Sequence, residues 1–187
     1  MNLKQRLNKK NKGFTLVELL VSISIFAVVM VASMGSILIM LNSNRKSQAV
    51  RSVLDNLSYT MDDMTRSIRF GTNYHCGSGG ILTQPQDCAS GDISLTVLDS
   101  SGSQVTYKAV SGRIVRTSGG TDYYMTSPDT NIQTMTFFVL GSSPYSTPDL
   151  NQPRVIMVVI GTAGVSGVNQ SKFTLETMVS QRKLDFQ

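Results

Sequence analysis

A chain of 187 residues with 17 Lys+Arg against 12 Asp+Glu has the length of one modest globular domain plus an anchor. Its pI of about 9.4 points toward polyanions, but five cations (Lys4, Arg6, Lys9, Lys10, Lys12) sit within the first 13 residues, and taking them from 17 leaves 12, level with the 12 acids. That balance argues against general nucleic-acid affinity, and one His with no G-x-S-x-G turn or clustered carboxylates argues against an enzyme.

The leader is followed by an apolar run. From Leu19 to Leu41 no residue is charged, and those 23 residues span roughly 34 Å as a helix, enough to cross a bilayer core. A cleavable secretory signal would need a shorter core and a small-residue exit. Ala32-Ser33-Met34-Gly35 offers one, but the apolar run continues through it. Five leader cations against Arg45, Lys46 and Arg51 beyond the run place the N-terminus in the cytoplasm. Glu18 stands alone at the head of the run, where a carboxylate is costly in lipid and asks for a partner.

Residues 14 to about 70 are predicted as one nearly continuous helix in two halves. The first, 14–41, is apolar all round, as a lipid-embedded or protein-buried helix must be. Its Ser22, Ser24, Ser33, Ser36, Ala27, Ala32 and Gly35 form small patches that let helices approach closely, though ordinary membrane-helix composition supplies them too. The second half, 42–70, carries a stripe of Val50, Leu54, Leu57, Met61, Met64 and Ile68, with Arg51, Asp55, Asp62, Asp63, Arg66 and Arg69 on the other faces. Asp62 and Asp63 are adjacent and so point to different faces. The stripe is expected to lie on the chain's own sheet, since three heptads are too few for a coiled coil. Phe70-Gly71 ends the helix, with Gly71 as a left-handed stop.

Residues 71–91 read as a loop holding five glycines and the two cysteines, Cys76 and Cys88. In an extracytoplasmic domain these pair to close a short loop, worth on the order of 3 kcal/mol. His75 with the two cysteines makes three ligands without a metal-site spacing, so no metal and no cofactor are expected.

After this loop, from 92 to 187, the period shifts to 2. Strands are predicted at 93–98, 104–110, 113–117, 122–125, 132–140, 154–160 and 172–179, with turns at Asp99–Gly102, Ser111-Gly112 and Ser118–Gly120. Strands joined by short turns make an antiparallel sheet, and a helix preceding them makes the chain α+β. Residues 141–153 hold three prolines and form an exposed loop. Gly161–Gly167 superficially resembles a phosphate loop, but strand pattern follows it, so a hairpin tip is expected.

Lys12-Gly13-Phe14-Thr15-Leu16-Val17-Glu18-Leu19-Leu20-Val21 resembles the prepilin N-terminal motif of type IV pilins and of the pseudopilins of type II secretion and competence systems. The resemblance implies cleavage after Gly13 by prepilin peptidase, which removes residues 1–13, and N-methylation of Phe14. Glu18 matches the acidic residue one helical turn further on. It implies that Glu18 pairs with the Phe14 amine of a neighbouring subunit and sets the stagger between subunits. Such a pair at about 4 Å is worth on the order of 4 kcal/mol at an effective dielectric near 20, before desolvation. The bland alternative is that Glu18 pairs within its own chain or stays protonated. Where major pilins often carry a mid-helix proline this chain has Gly35, which weakens a helix but forces no kink. Pro153–Ile160 and Phe173–Arg182 are similar, more loosely, to W-type minor pilins and J-type pseudopilins.

The resemblance implies a structural subunit, a minor pilin or pseudopilin of a pilus, secretion or competence filament. It would be single-pass in the bacterial inner membrane, then extracytoplasmic, in a filament with other pilin subunits. Two other readings stay open. One is a pilus-tip binding, adhesion or DNA-uptake module, in which Tyr123, Tyr124 and Tyr145 stack on ligands and Lys108, Arg113 and Arg116 make a basic patch. Its tyrosines equally suit packing on a sheet. The other is an unprocessed single-span membrane protein. Some pseudopilins of the family bind calcium in a loop such as 141–153, but Asp149 and Asn151 are too few side-chain ligands here.

Overall fold

A computed structural model describes residues 13–143, 151–163 and 170–183. Its first element is helix α1, Leu16–Phe70, 55 residues long and unbroken through Gly35. The chain divides into two compact units, Met1–Arg45 and Lys46–Gln187. In the first, every described residue of α1 is exposed, and the large apolar side chains from Leu16 to Leu41 are 48 to 77% exposed, so this helix half makes no core of its own.

Among the described residues, the second unit takes the rest of α1 and nine strands: β1 (Thr72–Cys76), β2 (Cys88–Asp92), β3 (Ser94–Leu98), β4 (Gln104–Val110), β5 (Arg113–Ser118), β6 (Thr121–Tyr124), β7 (Thr130–Leu140), β8 (Arg154–Ala163) and β9 (Ser171–Ser180). They form two antiparallel sheets rather than one. The five-stranded sheet runs β1-β3-β4-β5-β6 and the four-stranded sheet β2-β7-β8-β9. The stretch 71–91 is therefore not loop throughout, since β1 and β2 lie at its ends and join different sheets. Both are short and largely polar, β1 lying between Gly71 and Gly77 and β2 containing Gly91, so neither shows the alternation that marks β3, β4 and β9.

The tight turns follow from their residues. Val110 pairs with Arg113 across Ser111-Gly112, whose φ angles of 50° and 74° are those of a two-residue primed hairpin. Gly119 and Gly120, at 57° and 79°, repeat the device between Ser118 and Thr121. Ala163 pairs with Ser171, consistent with a β8–β9 hairpin, although 164–169 lie outside the described residues.

Between the sheets and α1 lies one core of Leu57, Met61, Met64 and Ile68 from the helix, Tyr74, Leu95, Val97, Val105, Tyr107 and Ile114 from one sheet, and Met135, Phe137, Val155, Met157 and Val159 from the other. Burying a side chain such as Leu57 or Ile68 contributes about 1.5–3 kcal/mol. The buried stripe is Val53, Leu57, Thr60, Met61, Met64 and Ile68. Val50 and Leu54, expected in it, are only half-buried, and Thr60 belongs to it because its hydroxyl donates to the Asn56 and Met125 carbonyls at 2.9 and 3.0 Å. Ser127 N donates to Asn56 Oδ1 at 2.9 Å, so the segment after β6 is stitched to the helix just there.

Gly71 also differs from expectation. It has no positive φ, so it is not a left-handed stop. Its N–H closes the last helical turn on Ser67 and Ile68, and a Cβ there would stand 2.7 Å from the Leu98 carbonyl. Glycine is required because β3 ends against the helix terminus.

Candidate functional site

The helix begins where the N-terminal motif places it. Thr15 Oγ1 accepts the Glu18 N–H at 3.2 Å, the N-cap half of a Thr-x-x-Glu capping box. That Thr-x-x-Glu spacing is a local signal carried by the sequence itself. The Glu18 carboxylate itself is exposed and has no ion pair or hydrogen bond among the described residues. Ser22, Ser24, Ser33 and Ser36 each turn their hydroxyl back on the carbonyl four residues earlier, at 2.7 to 3.1 Å. Their polarity is thereby satisfied inside the helix, as an apolar surrounding requires. By length and composition α1 is able to cross a membrane. Gly13 and Phe14 precede it, exposed, and the leader cations Lys4 to Lys12 lie outside the described residues.

Cys76 and Cys88 form a disulfide with a Cα–Cα distance of 5.8 Å. Cys76 ends β1 and Cys88 begins β2, so the bond staples the five-stranded sheet to the four-stranded one. His75 is buried, with Nδ1 2.8 Å from the Gln84 carbonyl and Nε2 2.7 Å from the Gly79 carbonyl. Both ring nitrogens face the backbone of the loop that covers them, and neither sulfur is a free thiolate. Among the described residues no cluster of three metal-binding side chains occurs. Asp149 and Tyr145 lie outside the described residues, while Asp87 accepts the Gly141 and Ser142 N–H groups at 2.9 and 2.8 Å where the 141–153 loop begins.

The three cations that would make a nucleic-acid patch are engaged. Lys108 Nζ lies 3.5 Å from Asp122, and Arg116 lies 3.8 Å from Asp99. Arg113 donates from Nε to the Thr126 carbonyl at 2.8 Å and sits 4.1 Å over the Tyr124 ring. Tyr123 is exposed on β6. Cations that do converge are Arg66, Arg69 and Arg182, around one cleft. No sequence signal joins them, since Arg182 comes from more than a hundred residues beyond Arg69.

Residues 8–34 match the family described as the prokaryotic N-terminal methylation motif. No curated protein and no solved structure matches the chain. With that motif opening a long apolar helix whose second half packs on antiparallel sheets, the chain carries the N-terminal motif and the α+β arrangement of a type IV pilin-like prepilin, and the motif marks a structural subunit.

Proposed function

We propose that the chain is a minor pilin or pseudopilin of a type IV pilus or of a type II secretion or competence filament. It is held in the bacterial inner membrane with its N-terminus in the cytoplasm. Prepilin peptidase cuts after Gly13 and methylates Phe14, and the subunit then joins other pilin subunits through its N-terminal helix. The similarity of the last strands to W-type and J-type subunits favours a minor role.

One observation carries this reading: at the head of an exposed apolar helix, the Glu18 carboxylate has no partner among the described residues. The Phe14 amine released by cleavage on a neighbouring subunit supplies the missing cation. Pairing lowers the cost of both charges in an apolar filament core, because each would otherwise be buried alone. The capping bond from Glu18 N to Thr15 uses only the backbone, so the carboxylate stays available.

The test separates processing from assembly. Gly13→Leu should leave the chain at full length, whereas Glu18→Ala should be processed normally yet be depleted from the sheared filament fraction by about tenfold or more, given an interaction of a few kcal/mol. Wild-type incorporation of Glu18→Ala would refute the electrostatic docking.

A further inference from the structure

We infer that the cleft beside the C-terminal end of α1 is a binding site for a phosphate group. It has a volume of about 430 Å³ and is lined by Asp62, Thr65, Arg66, Arg69, Phe70 and Arg182. Asp62 is the only acid among them, and it is held by Arg66 at 3.2 Å. Arg69 and Arg182 have no carboxylate partner among the described residues. Three guanidinium groups against one carboxylate leave two uncompensated positive charges facing one small space, the complement of a phosphate dianion rather than of a single carboxylate.

Complementing the helix dipole accounts for Arg66 and Arg69 in the last turns. It does not account for Arg182, which is brought to them from the far end of β9. Its backbone is fixed there: Arg182 N donates to the Arg69 carbonyl at 2.8 Å, and the preceding Gln181 N donates to the Pro153 carbonyl at 2.9 Å. The Arg182 guanidinium then sits over the Phe70 ring, 5.2 Å from its centroid. A guanidinium in cation–π contact with a ring keeps N–H donors that an oxyanion can take. Thr65, whose hydroxyl is a neutral donor, lines the same cleft. A guanidinium held against a ring, a second one with no carboxylate partner among the described residues and a hydroxyl-bearing side chain are the parts a phosphate site needs.

The phosphate can arrive free or carried on a polymer, and the experiment distinguishes the two. The full-length chain in nonionic-detergent micelles is titrated with inorganic phosphate, and separately with a short single-stranded thymidylate oligomer, at constant ionic strength. Arginine Nε–H NMR signals report occupancy. Saturable shifts at Arg69 and Arg182, weakened about tenfold in the Arg69→Gln/Arg182→Gln double variant but unchanged in Arg51→Gln, are expected. Arg182→Lys, which keeps the charge but loses the fork, should weaken binding severalfold. A response to inorganic phosphate identifies a free phosphate ligand, and a response to the oligomer alone identifies a polymer-borne one. Saturation by neither, or binding that the double variant leaves intact, would overturn the assignment.

Discussion

Asp99 governs the turn between β3 and β4. Its Oδ1 accepts the Ser101 hydroxyl at 2.6 Å and the Ser101 and Ser103 N–H groups at 2.9 Å each. The Ser101 hydroxyl, then the two backbone donors and the Arg116 guanidinium, hold this carboxyl below the usual aspartate range. Because the folded value lies below the unfolded one, the stabilisation is complete above the ordinary aspartate range and is lost as pH falls through the lowered value. Acidification from about pH 5 toward pH 2 should therefore lower the melting temperature, and Asp99→Ala should flatten that slope while costing about 1 kcal/mol at neutral pH. Thermal melts across pH check both. A wild-type pH slope in the variant would show that Asp99 does not govern acid sensitivity. The turn itself was legible, because Asp-Ser-Ser-Gly has its own local chemistry. The capping role of Thr15 is equally local, since it needs only the Thr-x-x-Glu spacing at the head of the helix.

At the scale of elements, periodicity located α1 and seven of the nine strands, because each buries one face and the spacing records which. It erred by degrees where tertiary contacts intervene. A strict 4-3 stripe drifts around a straight helix, so Val53 replaces Val50 and Leu54 as the buried upstream residue. β1 and β2 were missed because β2 pairs with β7, far along the chain, and β1 is bulged between Thr72 and His75. The end of α1 does fall at Phe70-Gly71, but Gly71 is needed there for space and not for a left-handed turn. Gly71→Ala should consequently destabilise the fold by about 1–3 kcal/mol by forcing Leu98 and the helix terminus apart. Urea denaturation measures this, and a neutral or stabilising result would mean that the contact yields freely.

For the molecule as a whole, the disulfide has a larger part than its short loop suggested. The pairing was readable because only two cysteines exist. That it joins two sheets was not, since strand periodicity does not record which sheet a strand enters. Replacing both cysteines with serine should cost about 3 kcal/mol, seen as a lower denaturation midpoint. An unchanged midpoint would show that the core alone holds the sheets in register. In the anchor, the motif at residues 8–34 is contiguous and depends on no fold, so it was fully legible. The arginine cleft depends entirely on folding and was invisible.

We propose that this chain is a prepilin that becomes a filament subunit. Intact-mass measurement of the membrane-extracted protein, with and without prepilin peptidase, tests it most directly. With the enzyme, the mass should correspond to loss of residues 1–13 and one methyl group added at Phe14; without it, to the full 187-residue chain. A full-length, unmethylated mass in the presence of active peptidase would contradict the claim.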